Sequence, residues 1–270
     1  MTTAQTLASV VSAEDLERRT APPAGLRPWI AEIAHIPTTD PGPVAFSHLP
    51  LAATSIVLRR EASGRRDAWV LGPRTRATYA HPERPAGCTR IRLAPGAAQP
   101  LLGVRAAELT DRVTLLSALP GPAAELADVL LELDPDEVTA FLEAELPHRV
   151  TEDPVRRDHR RLLNSAVTAM DTAAPVGEIA TGLAVSERQL RNLFTAGIGV
   201  SPKHYARITR LRQVIAAGGN TPWSDLAHSS GYYDQSHLSA DFRSLMGVTP
   251  TTYFRGDIPA PTPCQALTRR

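Results

Sequence analysis

The sequence contains little cysteine and no long apolar run, and both absences narrow the class of protein. The 270 residues include only Cys88 and Cys264, with no CxxC motif and no Cys/His cluster at metal-ligand spacing. Neither a zinc site nor a disulfide framework is therefore indicated, and a reducing, intracellular setting fits. No segment approaches the roughly 20 apolar residues of a membrane-spanning helix, and the N-terminus lacks the basic region of a signal peptide. We expect a cytoplasmic protein with no membrane partner.

Motifs of catalysis are missing as well. The sequence has no G-x-S-x-G, no H-E-x-x-H, no P-loop and no dinucleotide-binding fingerprint. It has no H-x-H…E…H metal set, and two scattered cysteines cannot form the zinc-held acceptor cluster of a DNA-repair methyltransferase. The sequence therefore predicts a protein that is not an enzyme and that uses neither a cofactor nor a metal.

The charge is divided unequally along the chain. Residues 1–152 contain 15 Arg and 19 acidic residues, a net charge of −4. Residues 153–270 contain 13 Arg, 1 Lys and 9 acidic residues, a net charge of +5, and the two parts together give the net +1 of the whole chain. A basic excess confined to one part is the electrostatic pattern that binding to phosphate would require.

A near-repeat occupies the same basic part. The segment FTAGIGVSPKHY, from Phe194, returns 48 residues later as FRSLMGVTPTTY, from Phe242, with Phe, Gly, Val, Pro and Tyr in register. A short helical pattern broken by a tight turn precedes each copy. These features predict two helix-turn-helix units, at about 175–197 and about 222–246, that could read two adjacent segments of DNA major groove.

Turn and capping residues support both units. Gly231 suits the tight turn of the second unit, and Ala184 is a weaker fit at the equivalent place in the first. Ser186 is the predicted N-cap of the first recognition helix, with Gln189 completing a capping box, and Asp234 is the N-cap in the second. The first helix then presents arginine and asparagine on its polar face, whereas the second presents a neutral face. Either face could also be ordinary solvated surface.

A long helix is predicted between the units, at 201–217, capped by Ser201 and stopped by Gly218. About 16 residues at 1.5 Å each give a rod of about 24 Å, which could hold two recognition helices near the roughly 34 Å between successive major-groove faces. The candidate phosphate contacts along it and at the second unit are Lys203, Arg207, Arg210 and Arg243.

The sequence pattern of residues 1–152 predicts an architecture different from that of the helix-turn-helix units. Short strands recur about every ten residues from Pro28 to Pro95, which favours a small β-barrel or sandwich. Helices follow, one of them begun by Asp134 and Pro135, and a break at 146–154 marks the candidate linker to an all-helical domain at 153–270. The fold class is therefore α+β: a β-barrel or sandwich with trailing helices, then two helix-turn-helix units joined by a long helix.

These residues carry a resemblance to a known family. The segment GYYDQSHLSADFRSLMGVTPTTY matches the pattern G-[FY]-x-D-x-S-x-[FL] … F-[KR]-x-x-x-G-x-[ST]-P-x-x-Y of AraC/XylS-type transcription regulators. The region from about Asp158 to Phe254 resembles their DNA-binding domain. One departure is Ala240, where the family commonly has arginine, which predicts a weaker second unit. The resemblance implies base reading by Arg188, Arg191, Asn192, Gln235, Ser236 and Ser239.

The N-terminal part resembles the sensory halves of such regulators, in which a small cupin-like β-domain binds an effector or mediates dimerisation. The aromatic and imidazole side chains of the strand-rich stretch could line an effector pocket, although such residues are more often core or rim. They are Phe46, His48, Trp69, Tyr79 and His81.

The favoured function is a sequence-specific transcription regulator acting on promoter or operator DNA. The resemblance implies RNA polymerase as a partner, and a small-molecule effector and a homodimer are further possible partners; activation and repression both stay open. The alternative is an architectural DNA-binding protein whose N-terminal domain serves only dimerisation. Affinity that discriminates a promoter from random DNA would favour the regulator, and equal affinity for all sequences would favour the alternative.

Overall fold

The computed structural model describes residues 11–39, 45–81, 86–170, 174–218 and 221–263. Cys264 lies outside this part of the chain. Within it there are ten strands; eight precede the first α-helix, one lies between the second and third α-helices, and one follows the last α-helix. The strands are β1 (Val11–Ser12), β2 (Arg18–Thr20), β3 (Ile30–Thr39), β4 (Phe46–His48), β5 (Ser55–Glu61), β6 (Arg66–Leu71), β7 (Thr78–His81), β8 (Ala86–Leu93), β9 (Val113–Leu115) and β10 (Thr262–Pro263).

The strands form two open sheets. The larger sheet is antiparallel throughout, in the order β2-β3-β8-β5-β6-β9, and its edge strands have only three residues each. The smaller sheet has the order β1-β4-β7-β10. Neither sheet closes on itself within the described residues, because each edge strand pairs with one neighbour only: β2 and β9 in the larger sheet, and β1 and β10 in the smaller. The predicted β-rich domain is therefore confirmed, and its closed-barrel form is not what the chain adopts.

Twelve α-helices lie in the described residues, beside two short 3-10 helices at Ala13–Leu16 and Leu116–Ala118. The α-helices are α1 (Ala98–Leu102), α2 (Ala106–Leu109), α3 (Pro122–Glu125), α4 (Ala127–Glu132), α5 (Pro135–Arg149), α6 (Pro154–Met170), α7 (Val176–Gly182), α8 (Glu187–Gly197), α9 (Pro202–Ala217), α10 (Trp223–Ser229), α11 (Gln235–Met246) and α12 (Pro250–Phe254). The first five pack on the larger sheet, since its inward residues and theirs share one apolar core. The others form the helical domain.

Helix α5 extends further than the sequence indicates. It continues through Pro147 to Arg149, although the sequence predicts a break at 146. Leu146 is buried in the N-terminal core, and its carbonyl accepts a hydrogen bond from the amide of Val150 at 3.1 Å. Burial of this last turn outweighs the loss of one backbone hydrogen bond at proline.

The two helix-turn-helix units are α7–α8 and α10–α11, and α9 joins them. The turns use the same backbone conformation, since φ is +54° at Ala184 and +71° at Gly231. Ala184 therefore occupies the left-handed region that only glycine adopts without strain. The two N-caps are also as predicted: Ser186 accepts from the amide of Gln189 at 3.2 Å, and Asp234 accepts from the amide of His237 at 2.7 Å.

The repeat in the sequence corresponds to a repeated joint in the structure. The ring centroids of Phe194 and Tyr205 are 5.6 Å apart, edge to face, and those of Phe242 and Tyr253 are 5.8 Å apart. Each phenylalanine is buried in a recognition helix and each tyrosine lies in the helix that follows. Such pairs add about 0.5–1.5 kcal/mol beyond their burial. The joint fixes each recognition helix against its successor.

The two domains share a core. Leu49 and Tyr79, from the β-rich domain, are buried in one cluster with residues of α9, α10 and α11. Strand β10 returns from the end of the helical domain to pair in parallel with β7. Near α6, Arg160 donates to the carbonyl of Pro28 at 2.9 Å and stacks on Trp29 at 4.5 Å from its centroid. The β-rich and helical parts are thus packed together over a broad surface.

The two turn conformations lead to a test of stability. Gly231→Ala should lower the free energy of unfolding by about 1 kcal/mol, because alanine is strained at positive φ. A Cβ there would meet only the Cδ of Arg210, at 3.9 Å, so steric overlap adds nothing. The matched control is Gly182→Ala in the last turn of α7, where a Cβ meets nothing within 4 Å.

The control substitution should raise the free energy of unfolding by roughly 0.5–1 kcal/mol, because alanine restricts the unfolded chain. Chemical denaturation of both variants measures the two changes. A shift of the same sign in both variants would show that backbone strain at the turn is not the cause.

Candidate nucleic-acid interface

The first recognition helix, α8, presents a polar face to solvent. Leu190 and Phe194 of its apolar stripe are fully buried, and Leu193 is partly buried against them. The opposite face carries Arg188, Arg191 and Asn192, and all three are exposed. Arginine can bond to guanine O6 and N7, and asparagine to adenine N6 and N7, so this face carries groups suited to direct reading of bases.

The second recognition helix, α11, presents shorter and uncharged groups. Gln235 and Ser236 are exposed in its first turn, whereas Ser239 is half-buried. Ala240 is exposed one residue further on, where it offers no hydrogen-bonding group. The two units are therefore equal in backbone architecture and unequal in the chemistry that they offer.

Tyr233 is a surface residue that the sequence pattern does not single out. Its side chain is 93% exposed, and it directly precedes Asp234, the N-cap of α11. An exposed aromatic ring with a hydroxyl at its tip is typical of interfaces. In the sequence Tyr233 is marked only by its position between Tyr232, which is buried, and the capping residue Asp234.

The four candidate phosphate contacts fall into two pairs. Lys203 and Arg243 are exposed, on α9 and α11. Arg207 instead pairs with Asp241, with Nε 2.6 Å from Oδ1, and Arg210 stacks on Tyr232 at 5.0 Å from its ring centroid. The structure thus gives Arg207 and Arg210 partners inside the helical domain.

Asp241 is the centre of that internal contact. Its side chain is only 7% exposed, although it lies in a recognition helix. Besides Arg207, it accepts a hydrogen bond from the hydroxyl of Tyr232 at 3.2 Å, while Arg207 also donates to Ser244 at 3.1 Å. Burial, and then the charge of Asp241, raise the pKa of Tyr232 above its usual range. The cluster ties α11 to α9.

Of the five residues suggested for an effector pocket, four lie on the paired strands β4 and β7, two on each face of the smaller sheet, and the fifth lies on the larger sheet. Phe46 and His48 lie on β4, Tyr79 and His81 lie on β7, and Trp69 lies on β6 of the other sheet. The hydroxyl of Tyr79 donates to the carbonyl of Met246 at 2.7 Å, so this ring faces the second unit. Burial, and then the charge of nearby Arg74, lower the pKa of His48 to about 3, so that its imidazole is neutral.

A cavity of about 540 Å³ lies elsewhere, between the two domains. Its walls come from β3, β8 and the β4–β5 loop on one side and from α6, α8 and α9 on the other. Most of the lining is apolar, and the charged groups are Arg92 and Arg212. None of the five suggested pocket residues lines it.

Both arginines of the cavity already have acidic partners. Arg92 pairs with Glu32, yet its Nε is buried and bonded to no group in the described part of the chain. Arg212 donates to Glu14 at 3.0 Å and to the carbonyl of Pro50 at 3.2 Å. Burial would raise the pKa of Glu14, but the hydrogen bond and charge of Arg212 outweigh it and hold that pKa below its ordinary value. The Nε of Arg92 is thus a buried donor that the described residues leave unpaired.

Metal clusters and membrane spans are both absent from the described residues. Nowhere among them do three or more His, Cys, Asp or Glu side chains gather at a spacing that could hold a metal ion. None of their helices combines the length and the apolar character needed to cross a membrane.

Family models match two parts of the chain. Residues 179–256 match a helix-turn-helix domain, and residues 18–114 match a domain of unknown function, DUF6597. The first match contains both recognition helices, and the second contains nearly all of the larger sheet and two of the four strands of the smaller sheet.

Curated relatives agree with the first match. A protein of Streptomyces antibioticus named as an AraC-like transcription regulator is 32% identical over 133 residues, which are 48% of this chain and 40% of the relative. The HTH-type transcriptional regulator YidL of Escherichia coli is 26% identical over 113 residues, 41% of this chain and 38% of the relative. The chain spans about two fifths of the length of these two relatives.

Among solved structures, ToxT from Vibrio cholerae is similar over 89% of this chain and 97% of that chain, with 11% identity and a TM-score of 0.39. The family model, the curated relatives and the two recognition helices agree on the helical domain. The chain therefore carries an AraC-type double helix-turn-helix domain and is a relative of the AraC-like transcription regulators.

Proposed function

We propose that the protein is a sequence-specific DNA-binding transcription regulator whose two recognition helices enter adjacent stretches of major groove. The observation that carries the proposal is the duplicated joint: each recognition helix is held by one Phe–Tyr pair while its opposite face stays exposed. Rigid elements of this kind place side chains against bases more accurately than loops do. One protomer would bind an asymmetric site with two half-motifs about one helical turn apart.

The two recognition helices are proposed to contribute unequally to base reading. In the proposal Arg188, Arg191 and Asn192 of α8 supply most of the base discrimination, because they carry the long donors. Gln235 and Ser236 of α11 read fewer base edges, with Ser239 partly withdrawn from the surface. The second half-motif should therefore carry less sequence information than the first.

Other residues are proposed to position the protein on the sugar-phosphate backbone of the DNA. Lys203 and Arg243 are proposed to contact phosphates, since both are exposed cations beside the recognition helices. The Tyr233 hydroxyl is proposed to donate to a phosphate next to α11, which would give the weaker unit an extra anchor. Arg207 and Arg210 act indirectly in this scheme, by holding α11 on α9.

Control by a small molecule is proposed at the interdomain cavity rather than among the five residues of the sheets. Its volume lies in the range of about 300–1,000 Å³ typical of ligand sites, and both domains contribute to its walls. The walls suit an apolar molecule with one acidic group directed at Arg92. RNA polymerase and a second copy of the chain are further partners proposed from the resemblance.

The proposed base reader can be tested by substitution. Arg188→Ala should weaken binding to the preferred site by about 1–3 kcal/mol and relax specificity at one or two positions, because a bidentate contact to a base is lost. Lys203→Ala should weaken all sequences alike and lower the salt slope of binding by about 1. Binding isotherms on the preferred site and on single-base variants, at several salt concentrations, measure both effects.

Arg161→Ala is the matched control, because Arg161 is an exposed arginine on α6 paired only with Asp158 at 3.4 Å. It should leave both affinity and specificity unchanged. Unaltered base preference in Arg188→Ala would remove that residue from the set of base readers, and equal affinity of the wild type for all sequences would favour an architectural protein.

The cavity can be tested with two probes that share a phenylalkyl chain of the same length and differ in the head group, the carboxylate of 4-phenylbutyrate and the hydroxyl of 4-phenylbutan-1-ol. Saturation with the acid should raise the melting temperature by a few degrees, since about 2.7 kcal/mol is gained at 100 times the dissociation constant. The alcohol should have a smaller effect. Arg92→Gln should abolish the difference between the probes, and Arg66→Gln, outside the cavity and paired with Glu132, should retain it. An equal response of both variants would place the acid elsewhere.

A further inference from the structure

We infer that the N-terminal domain binds the C-terminal ends of both recognition helices and so sets the spacing of the two half-sites that the protein accepts. This rests on the proposed two-site binding of DNA and assigns a role to residues 18–114, the domain of unknown function. The relevant contacts are hydrogen bonds from this domain to four backbone carbonyls of the helical domain.

Two of these bonds hold the first unit. The amide of Gly96 donates to the carbonyl of Gly197, the last residue of α8, at 3.1 Å. The hydroxyl of Thr110 donates to the carbonyl of Gly199 at 2.9 Å. Gly199 has φ of +90°, and a Cβ there would lie 2.7 Å from Thr110 Oγ1, so the approach of the two domains at this point needs glycine.

Two equivalent bonds hold the second unit. The amide of Ala77 donates to the carbonyl of Leu245 at 2.8 Å, and the hydroxyl of Tyr79 donates to the carbonyl of Met246, the last residue of α11, at 2.7 Å. A buried hydrogen bond of 3.0 Å between Ser47 and Tyr253 lies beside them. The contact is therefore made by the smaller sheet.

The shared feature is the chemistry of helix ends. The last four carbonyls of a helix have no partner within the helix and carry the negative end of its dipole. The N-terminal domain supplies donors for such carbonyls at Gly197 of α8 and at Leu245 and Met246 of α11, while Gly199 accepts from it two residues beyond the end of α8. Because the two sets of donors belong to one packed domain, they fix the distance between the two helix ends.

This arrangement leaves the DNA-facing residues accessible. Gln235 and Leu245 are ten residues apart along α11, or about 15 Å at 1.5 Å per residue. Arg188 and Gly197 are separated by nearly as much along α8. The domain thus holds each helix at the end remote from its first turn, so the contact orients the helices without covering their proposed base-reading ends.

The test uses the full chain with the double substitution Thr110→Val and Tyr79→Phe, which removes one donor to each unit and preserves side-chain shape. Binding is measured on a two-half-site operator, on the same operator with two base pairs inserted, and on the first half-site alone. Two base pairs turn the second half-site by about 70°. The wild type should lose at least about tenfold in affinity on the insertion, equivalent to 1.4 kcal/mol.

The double variant should lose less than about threefold on the same insertion, with unchanged affinity for the first half-site. Thr114→Val on β9 is the control and should behave as the wild type. If circular dichroism shows that the double variant is unfolded, Tyr79→Phe alone is measured, with an intermediate loss expected.

Retention of the wild-type spacing preference in a folded variant would overturn the inference, as would a wild type without any spacing preference on a sequence-specific site. A wild type without sequence-specific binding would overturn the proposed function instead.

Discussion

The ion pair between Arg207 and Asp241 holds the second recognition helix, α11, against α9, the long helix that joins the two units. It places a carboxylate that is only 7% exposed inside α11 and joins it to the long helix α9, with Tyr232 as a further donor. Loss of the arginine would leave this carboxylate buried without a counter-charge, which is strongly destabilising. The second unit is therefore linked to α9 by a specific polar contact as well as by apolar packing. Asp241 has a structural role although it lies in a recognition helix.

That use of Asp241 belongs to a wider asymmetry. The repeated sequence encodes one joint used twice, Phe194 with Tyr205 and Phe242 with Tyr253, at nearly equal ring distances. On this common frame α8 exposes arginine and asparagine, whereas α11 buries its one carboxylate and exposes glutamine and serine. We expect the first unit to determine which sequence is bound. The second unit, held by α9 and by the smaller sheet, would mainly determine how far away the next contact falls.

Local signals account for what the sequence could predict. The caps Ser186 and Asp234 and the left-handed turn at Gly231 depend on neighbours a few residues away, so the sequence alone is sufficient to place the helical units. The pair Arg207–Asp241 joins residues 34 apart in sequence, and the bond from Tyr79 to Met246 joins residues 167 apart. The alternation of polar and apolar residues indicates that the face of β7 that carries Tyr79 is covered. It does not indicate that α11 is the element that covers it. Four of the suggested effector residues lie on the paired strands β4 and β7, but on opposite faces of the smaller sheet, and Trp69 lies on the larger sheet, so a shared chemical type did not indicate a shared site.

Selection of bound sequences from random double-stranded DNA by the full chain would show whether the two recognition helices read DNA unequally at a fixed spacing, because it reports both half-motifs and their separation without a known operator. We expect two unequal half-motifs about 10 base pairs apart, centre to centre, on one face of the duplex, with the greater information content in the half read by α8. Recovery of no enriched motif, or of a single motif with no second half at fixed spacing, would contradict this expectation.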